Sequence, residues 1–195
     1  SNLGSILNDL GKSQEAEIST LKAIAIRPNF AEAHYNLGII SLDLGKLKEA
    51  ELSFRKAIEL NPNFPKAHSN LGNILKDLGN LDEAELLYRK AIEIRPNFAE
   101  AHYNLGIILI DLGKLQEAEL SCRKALEIKP DFANAHYNLG NILKDLCNLD
   151  EATNHFKQAL KFNINLSLAK SALIKTKGDM CDWSDEDTHR IWLKS

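Results

Sequence analysis

This 195-residue sequence predicts an all-α solenoid of stacked antiparallel helix pairs, and three observations carry that prediction. The tripeptide Asn-Leu-Gly recurs at Asn2, Asn36, Asn70, Asn104 and Asn138. Pro28, Pro62, Pro96 and Pro130 keep the same spacing of 34 residues. Nine of the ten glycines fall into two registers of that period, Gly4, Gly38, Gly72, Gly106, Gly140 and Gly11, Gly45, Gly79, Gly113. A fixed period of this length marks one supersecondary unit repeated along the chain.

The unit 31–64 shows why each half is a helix. His34, Leu37, Gly38, Ser41 and Leu44 form one stripe at helical spacing, and Leu47, Ala50, Phe54, Ala57 and Ile58 form a second. Gly45 sits where the first helix must stop, because glycine takes the left-handed conformation that satisfies the last carbonyls. Pro62 lies just past the second helix, which it cannot continue. Asn63, with Asn29, Asn97 and Asp131 elsewhere, reads as the N-cap of the next helix, and Asn29 with Glu32 or Asn97 with Glu100 has capping-box spacing. Gly38, Ala50 and Ala57 are small enough to let two helix backbones approach. Glu51 with Arg55, Glu85 with Arg89 and Glu119 with Arg123 are i,i+4 pairs that decorate an exposed face and add little stability.

A 34-residue helix-turn-helix unit with Leu37-Gly38, Ala50, Phe54, Ala57 and Pro62 in these places resembles the tetratricopeptide repeat, and the match recurs at 65–98, 99–132 and 133–166. A truncated repeat, 1–30, precedes them. His34, His68, His102 and His136 stand where the family carries a large aromatic before Leu-Gly. The resemblance implies a right-handed superhelix whose first helices line a concave groove.

The ends depart from the pattern. Ser1 enters it in mid-helix, so the sequence reads as a fragment or a processed product. Ile164 replaces the expected proline, and Ser167 to Lys177, with Leu168, Ala169, Ala172 and Leu173, reads as a helix capping the stack within a final segment 167–195. Cys147 takes the place of a helix-ending glycine and should be strained if left-handed.

Composition narrows the function. The formal charge is −3, with 44% hydrophobic and 26% charged residues, which disfavours a protein held to nucleic acid or anionic lipid by bulk charge. No apolar run approaches the ~18 to 20 residues that span a bilayer. Cys122, Cys147 and Cys181 form no Cys-x-x-Cys pair, and their odd number points to a reducing, cytoplasmic compartment. Catalysis finds little support. The four recurrent histidines lie on the packing stripe and cannot converge on a metal, His155 and His189 read as isolated, and Cys122 takes the aromatic place as a small core residue. No cofactor is expected.

The other face of the first helix is not needed for packing within the hairpin. Glu32, Tyr35, Asn36, Ile39 and Asp43 cluster opposite the packing stripe at about 100° per residue. Along the array this face repeats as Asn36, Asn70, Asn104, Asn138 and as Asp43, Asp77, Asp111, Asp145. A side-chain amide offers a donor and an acceptor, so a row of them suits the backbone of an extended peptide irrespective of sequence. The same side chains can instead hold successive repeats in register, and the two roles are compatible. Ile39 with Leu42 and Ile107 with Ile110 present apolar positions, suited either to apolar ligand side chains or to packing against an adjacent repeat, whereas Asn73 with Lys76 and Asn141 with Lys144 present polar ones, so the ancestral unit reads as a 68-residue pair. Tyr35, Tyr103 and Tyr137 add amphipathic rings suited to binding, and Ser69 breaks their row.

The stretch Cys181-Asp182-Trp183-Ser184-Asp185, followed by His189-Arg190-Ile191-Trp192, reads as the acidic start of another helix. It resembles the junction of the O-linked N-acetylglucosamine transferase and SPINDLY family, where such a stretch leads from the last repeat into the glycosyltransferase domain. That resemblance implies a substrate-binding or adaptor-binding arm whose catalytic residues are not in this chain. Three readings thus stand: a groove for extended peptide segments, the arm of a larger protein glycosyltransferase, and a self-associating scaffold.

Overall fold

The computed structural model describes residues 13–180. Asn2, Gly4, Gly11 and the stretch Cys181 to Trp192 lie outside the described residues. Among the described residues the chain forms ten α-helices and no strand: α1 Ser13–Ile26, α2 Ala31–Asp43, α3 Leu47–Leu60, α4 Pro65–Asp77, α5 Leu81–Ile94, α6 Ala99–Asp111, α7 Leu115–Ile128, α8 Ala133–Asp145, α9 Leu149–Phe162 and α10 Ser167–Asp179. Two compact units divide the chain, unit 1 ending at Pro96 and unit 2 starting at Asn97.

Close approach within each pair rests on one glycine. A Cβ at Gly38 would lie 2.6 Å from Phe54 Cε1, and one at Gly140 would lie 2.6 Å from Phe156 Cε1. At Gly106 the neighbour is Cys122 Sγ at 2.7 Å, and at Gly72 it is the Tyr88 ring at 3.0 Å. Phe54, Tyr88, Cys122 and Phe156 are all fully buried. Cys122 is the small core residue expected of it, and burial pushes its thiol up to about 12.

The turns inside the pairs share one geometry. Gly45 N–H donates to the Leu42 carbonyl and Lys46 N–H to that of Ser41, at 2.9 and 2.8 Å. This is the Schellman pattern, which satisfies the last carbonyls of the first helix. Gly45, Gly79 and Gly113 take φ of 71°, 80° and 73°; Cys147 is forced to 61° with the same two bonds, at 2.9 and 2.8 Å. The expected strain at Cys147 is therefore present.

Two expectations need correction. Asn29, Asn63, Asn97 and Asp131 do not cap the following helices, which begin one residue later with Phe30, Phe64, Phe98 and Phe132 at the N-cap and no side-chain capping bond. An aromatic ring wins that position because it packs: Phe64 lies 4.7 Å from the Tyr35 ring and Phe132 4.7 Å from the Tyr103 ring. That contact outweighs the ~1 kcal/mol of a polar cap. The second correction concerns the buried stripe of the first helix, which is wider than expected. Ala33 and Ile40 are buried, as are their counterparts Ala67 and Ile74, Ala101 and Ile108, and Ala135 and Ile142. A first helix packs on its own partner and also on the preceding hairpin, as α4 does on α3 and α8 on α7, so it buries two sides.

In unit 2, α10 packs on α9 and touches α8, burying Ala169 and Thr176. Ile174 stands in the register that glycine holds in the repeats.

Candidate functional site

The expected binding residues sit on α2 and α4 in unit 1 and on α6 and α8 in unit 2, and none of them is buried. In unit 1, Asn70 on α4 donates through Nδ2 to the Tyr35 hydroxyl on α2 at 3.2 Å. In unit 2, Asn138 on α8 is the hydrogen-bonding neighbour of the Tyr103 phenol on α6. Burial pushes both phenols above their ordinary range, so they stay neutral and able to donate. Each amide thus spends one bond on its neighbour repeat and keeps its carbonyl oxygen and second N–H. Asn36 makes no hydrogen bond among the described residues, and neither does the Tyr137 hydroxyl, whose register partner is Ala172.

Equal sequence does not give equal chemistry along this face. The Asn73 Oδ1 accepts a 2.6 Å bond from the Tyr88 hydroxyl, which reaches it from α5. Asn141, in the same register, faces a repeat with Phe156 and has no such donor. Tyr88 is a residue the sequence reading passed over; its signal is a hydroxyl on the ring where Phe54 and Phe156 have none. Lys76 lies 3.5 Å from Asp77, whereas Lys144 makes no ion pair among the described residues. Ile39 and Ile107 remain half-buried, and Asp43, Asp77, Asp111 and Asp145 end their helices exposed. A carboxylate at a helix C-terminus opposes the macrodipole, so helix stability does not account for these four aspartates.

The opposite stripe carries the histidines as packing groups. Nε2 of His34, His68 and His136 bonds to the carbonyl of Pro28, Pro62 and Pro130 at 2.8, 2.9 and 3.0 Å. His155 is not isolated as expected, since its Nδ1 lies 2.9 Å from His136 Nδ1. Among the described residues no group of three or more His, Cys, Asp or Glu is placed to hold a metal ion. No helix there is long and apolar enough to cross a membrane. The i,i+4 pairs form as expected, and Arg55 and Arg123 reach further, to Glu83 at 2.9 Å and Glu151 at 2.7 Å on the next second helix.

The tetratricopeptide-repeat profile matches residues 31–64, 99–132 and 133–165, and related profiles of the same repeat match 1–30, 53–85 and 72–113. The chain belongs to the tetratricopeptide-repeat family. It is therefore a tetratricopeptide-repeat solenoid, of a family whose members generally bind protein or peptide partners. No curated protein matches it. Among solved structures, MamA is 26% identical with a TM-score of 0.75, over 84% of this chain and 96% of that one. YrrB, described as a tetratricopeptide-repeat protein with an unusual peptide-binding site, is 26% identical with a TM-score of 0.73, over 88% of each chain. PilF of Pseudomonas aeruginosa is 20% identical with a TM-score of 0.86, over 96% of this chain and 84% of that one, and shares the fold alone.

Proposed function

We propose that this tetratricopeptide-repeat chain binds extended protein segments along the first helices of its repeats. The observation that carries the reading is the pairing of Tyr35 with Asn70 and of Tyr103 with Asn138, which fixes each amide while leaving a donor and an acceptor on an accessible face. Preformed amides match a peptide backbone without reading its side chains. Ile39 and Ile107 offer apolar contact, Lys144 offers an unpaired cation, and the exposed Asp43, Asp77, Asp111 and Asp145 set the charge of the rim. The peptide-binding site ascribed to YrrB supports the same use of the fold.

A peptide array probed with the chain, followed by fluorescence anisotropy on a captured peptide, tests this reading. Asn70→Ala with Asn138→Ala should weaken binding about thirtyfold, two contacts of ~1 kcal/mol each being lost. Tyr35→Phe breaks the same inter-repeat bond but keeps the amide, so it should weaken binding less than the double asparagine variant does, by the preorganisation alone. Unchanged binding in the double asparagine variant would assign the amides to repeat register alone.

The stretch Cys181 to Asp185 supports a second reading, in which the array is the substrate arm of a protein glycosyltransferase. The coding sequence beyond Ser195 tests it, since an unrelated domain there would remove it.

A further inference from the structure

His155 is the one second-helix histidine among the described repeats, where Ser19, Ser53, Leu87 and Ser121 hold the corresponding places. Its ring meets that of His136 across the α8–α9 pair, with centroids 5.1 Å apart, and His136 also stacks on Phe162 at 5.7 Å and 19°. The Pro130 carbonyl only accepts, so Nε2 of His136 carries its proton and Nδ1 offers a lone pair. His155 must then donate from Nδ1, which leaves its Nε2 lone pair 3.8 Å from Glu151 Oε1. The contrast with unit 1 shows what the second ring contributes. Nδ1 of His68 is buried with no hydrogen-bond partner, and Leu87 stands where His155 would reach it.

We propose that His136 and His155 form a proton-sensitive joint, which locks α8 to α9 while both rings are neutral and loosens that hairpin as the solution becomes mildly acidic. One bond joins two Nδ1 atoms, so it needs one proton and one lone pair. When both rings are protonated, two N–H groups oppose each other and two cations lie with their ring centres 5.1 Å apart. The groups acting electrostatically on His155 are His136 from α8, Glu151 on its own helix and Arg123 from α7. Glu151 favours a proton on His155, but Arg123 holds the same carboxylate at 2.7 Å and opposes it. On α10, packed against α9, the charged residues are Lys170, Lys175, Lys177 and Asp179, and none of them contributes to that balance.

Burial and the neighbouring imidazole pull His155 down to about 4, and burial lowers His136 as well. The unfolded chain therefore binds more protons once the pH falls below the ordinary imidazole value of about 6.5. Stability is whole above that value, is lost as the pH falls toward 4, and changes no further from this source below it.

Denaturant unfolding of the chain and of His155→Ser at pH 7.5 and 5.0 tests the joint, serine being the natural residue at three equivalent places. The unfolding constant of the parent should rise about tenfold more between the two pH values than that of the variant. Equal pH dependence in the two overturns the proposal. Imidazole NMR on the unaltered chain gives an independent reading. Nε2–H on His136, Nδ1–H on His155 and midpoints below the ordinary value are expected, and an ordinary midpoint for His155 overturns the joint whatever the variant does.

Discussion

Gly140 and Gly72 hold the same place in their repeats, yet they should not tolerate a methyl group equally. At Gly140 the added Cβ would sit 2.6 Å from a fully buried Phe156 ring, which has no room to retreat. At Gly72 the clearance from Tyr88 is 3.0 Å. Alanine gains about 1 kcal/mol of helix propensity over glycine, against an overpacking cost of ~1–3 kcal/mol. Gly140→Ala is therefore expected to destabilise by about 1–2 kcal/mol and Gly72→Ala to be close to neutral, as urea denaturation will show. The need for glycine at these places is legible in the sequence from its period alone. The difference between them is not, because it depends on a few tenths of an ångström in a neighbour's ring.

At the scale of the element, helix ends show what the sequence can and cannot disclose. Stop signals are local: Gly45, Gly79 and Gly113 mark their turns because the left-handed backbone is a property of the residue itself. Start signals misled because Asn63 competes with Phe64, and the winner depends on Tyr35, which lies across the hairpin. Cys147 converts this into a measurable quantity. It makes the same Schellman bonds as the glycines while bearing a Cβ, and the left-handed conformation costs a non-glycine residue roughly 1–2 kcal/mol. Part of that cost returns as glycine's greater unfolded-state entropy. Cys147→Gly should raise stability by about 0.5–1 kcal/mol, and a lowered denaturation midpoint would mean that the thiol makes a compensating contact.

Repeat proteins share stability between neighbours, so the ends of each compact unit matter to the whole molecule. In unit 2, α10 covers α9 and buries Ala169 and Thr176. A chain ending at Asn165 should melt at least ~5 °C lower than the parent, by circular dichroism, if α10 is a cap and not a bystander. The candidate site became legible only at this scale. Rows of Asn and Tyr are plain in the sequence, but their coupling is not, since Tyr35 and Asn70 are 35 residues apart and each belongs to a different repeat. The His136–His155 contact was hidden for the same reason: the two lie on different helices of one hairpin, and the period links neither to the other.

The Tyr35–Asn70 bond also says how unit 1 is able to lengthen. A second copy of residues 31–64 spliced after Phe64 would set its own Asn36 beside the original Tyr35 and its own Tyr35 beside Asn70, so both seams would carry the tyrosine-to-amide register already present here. Gene duplication in steps of this size keeps that register at every junction, and leaves only the alternating positions, such as Ile39 against Asn73, to be refitted.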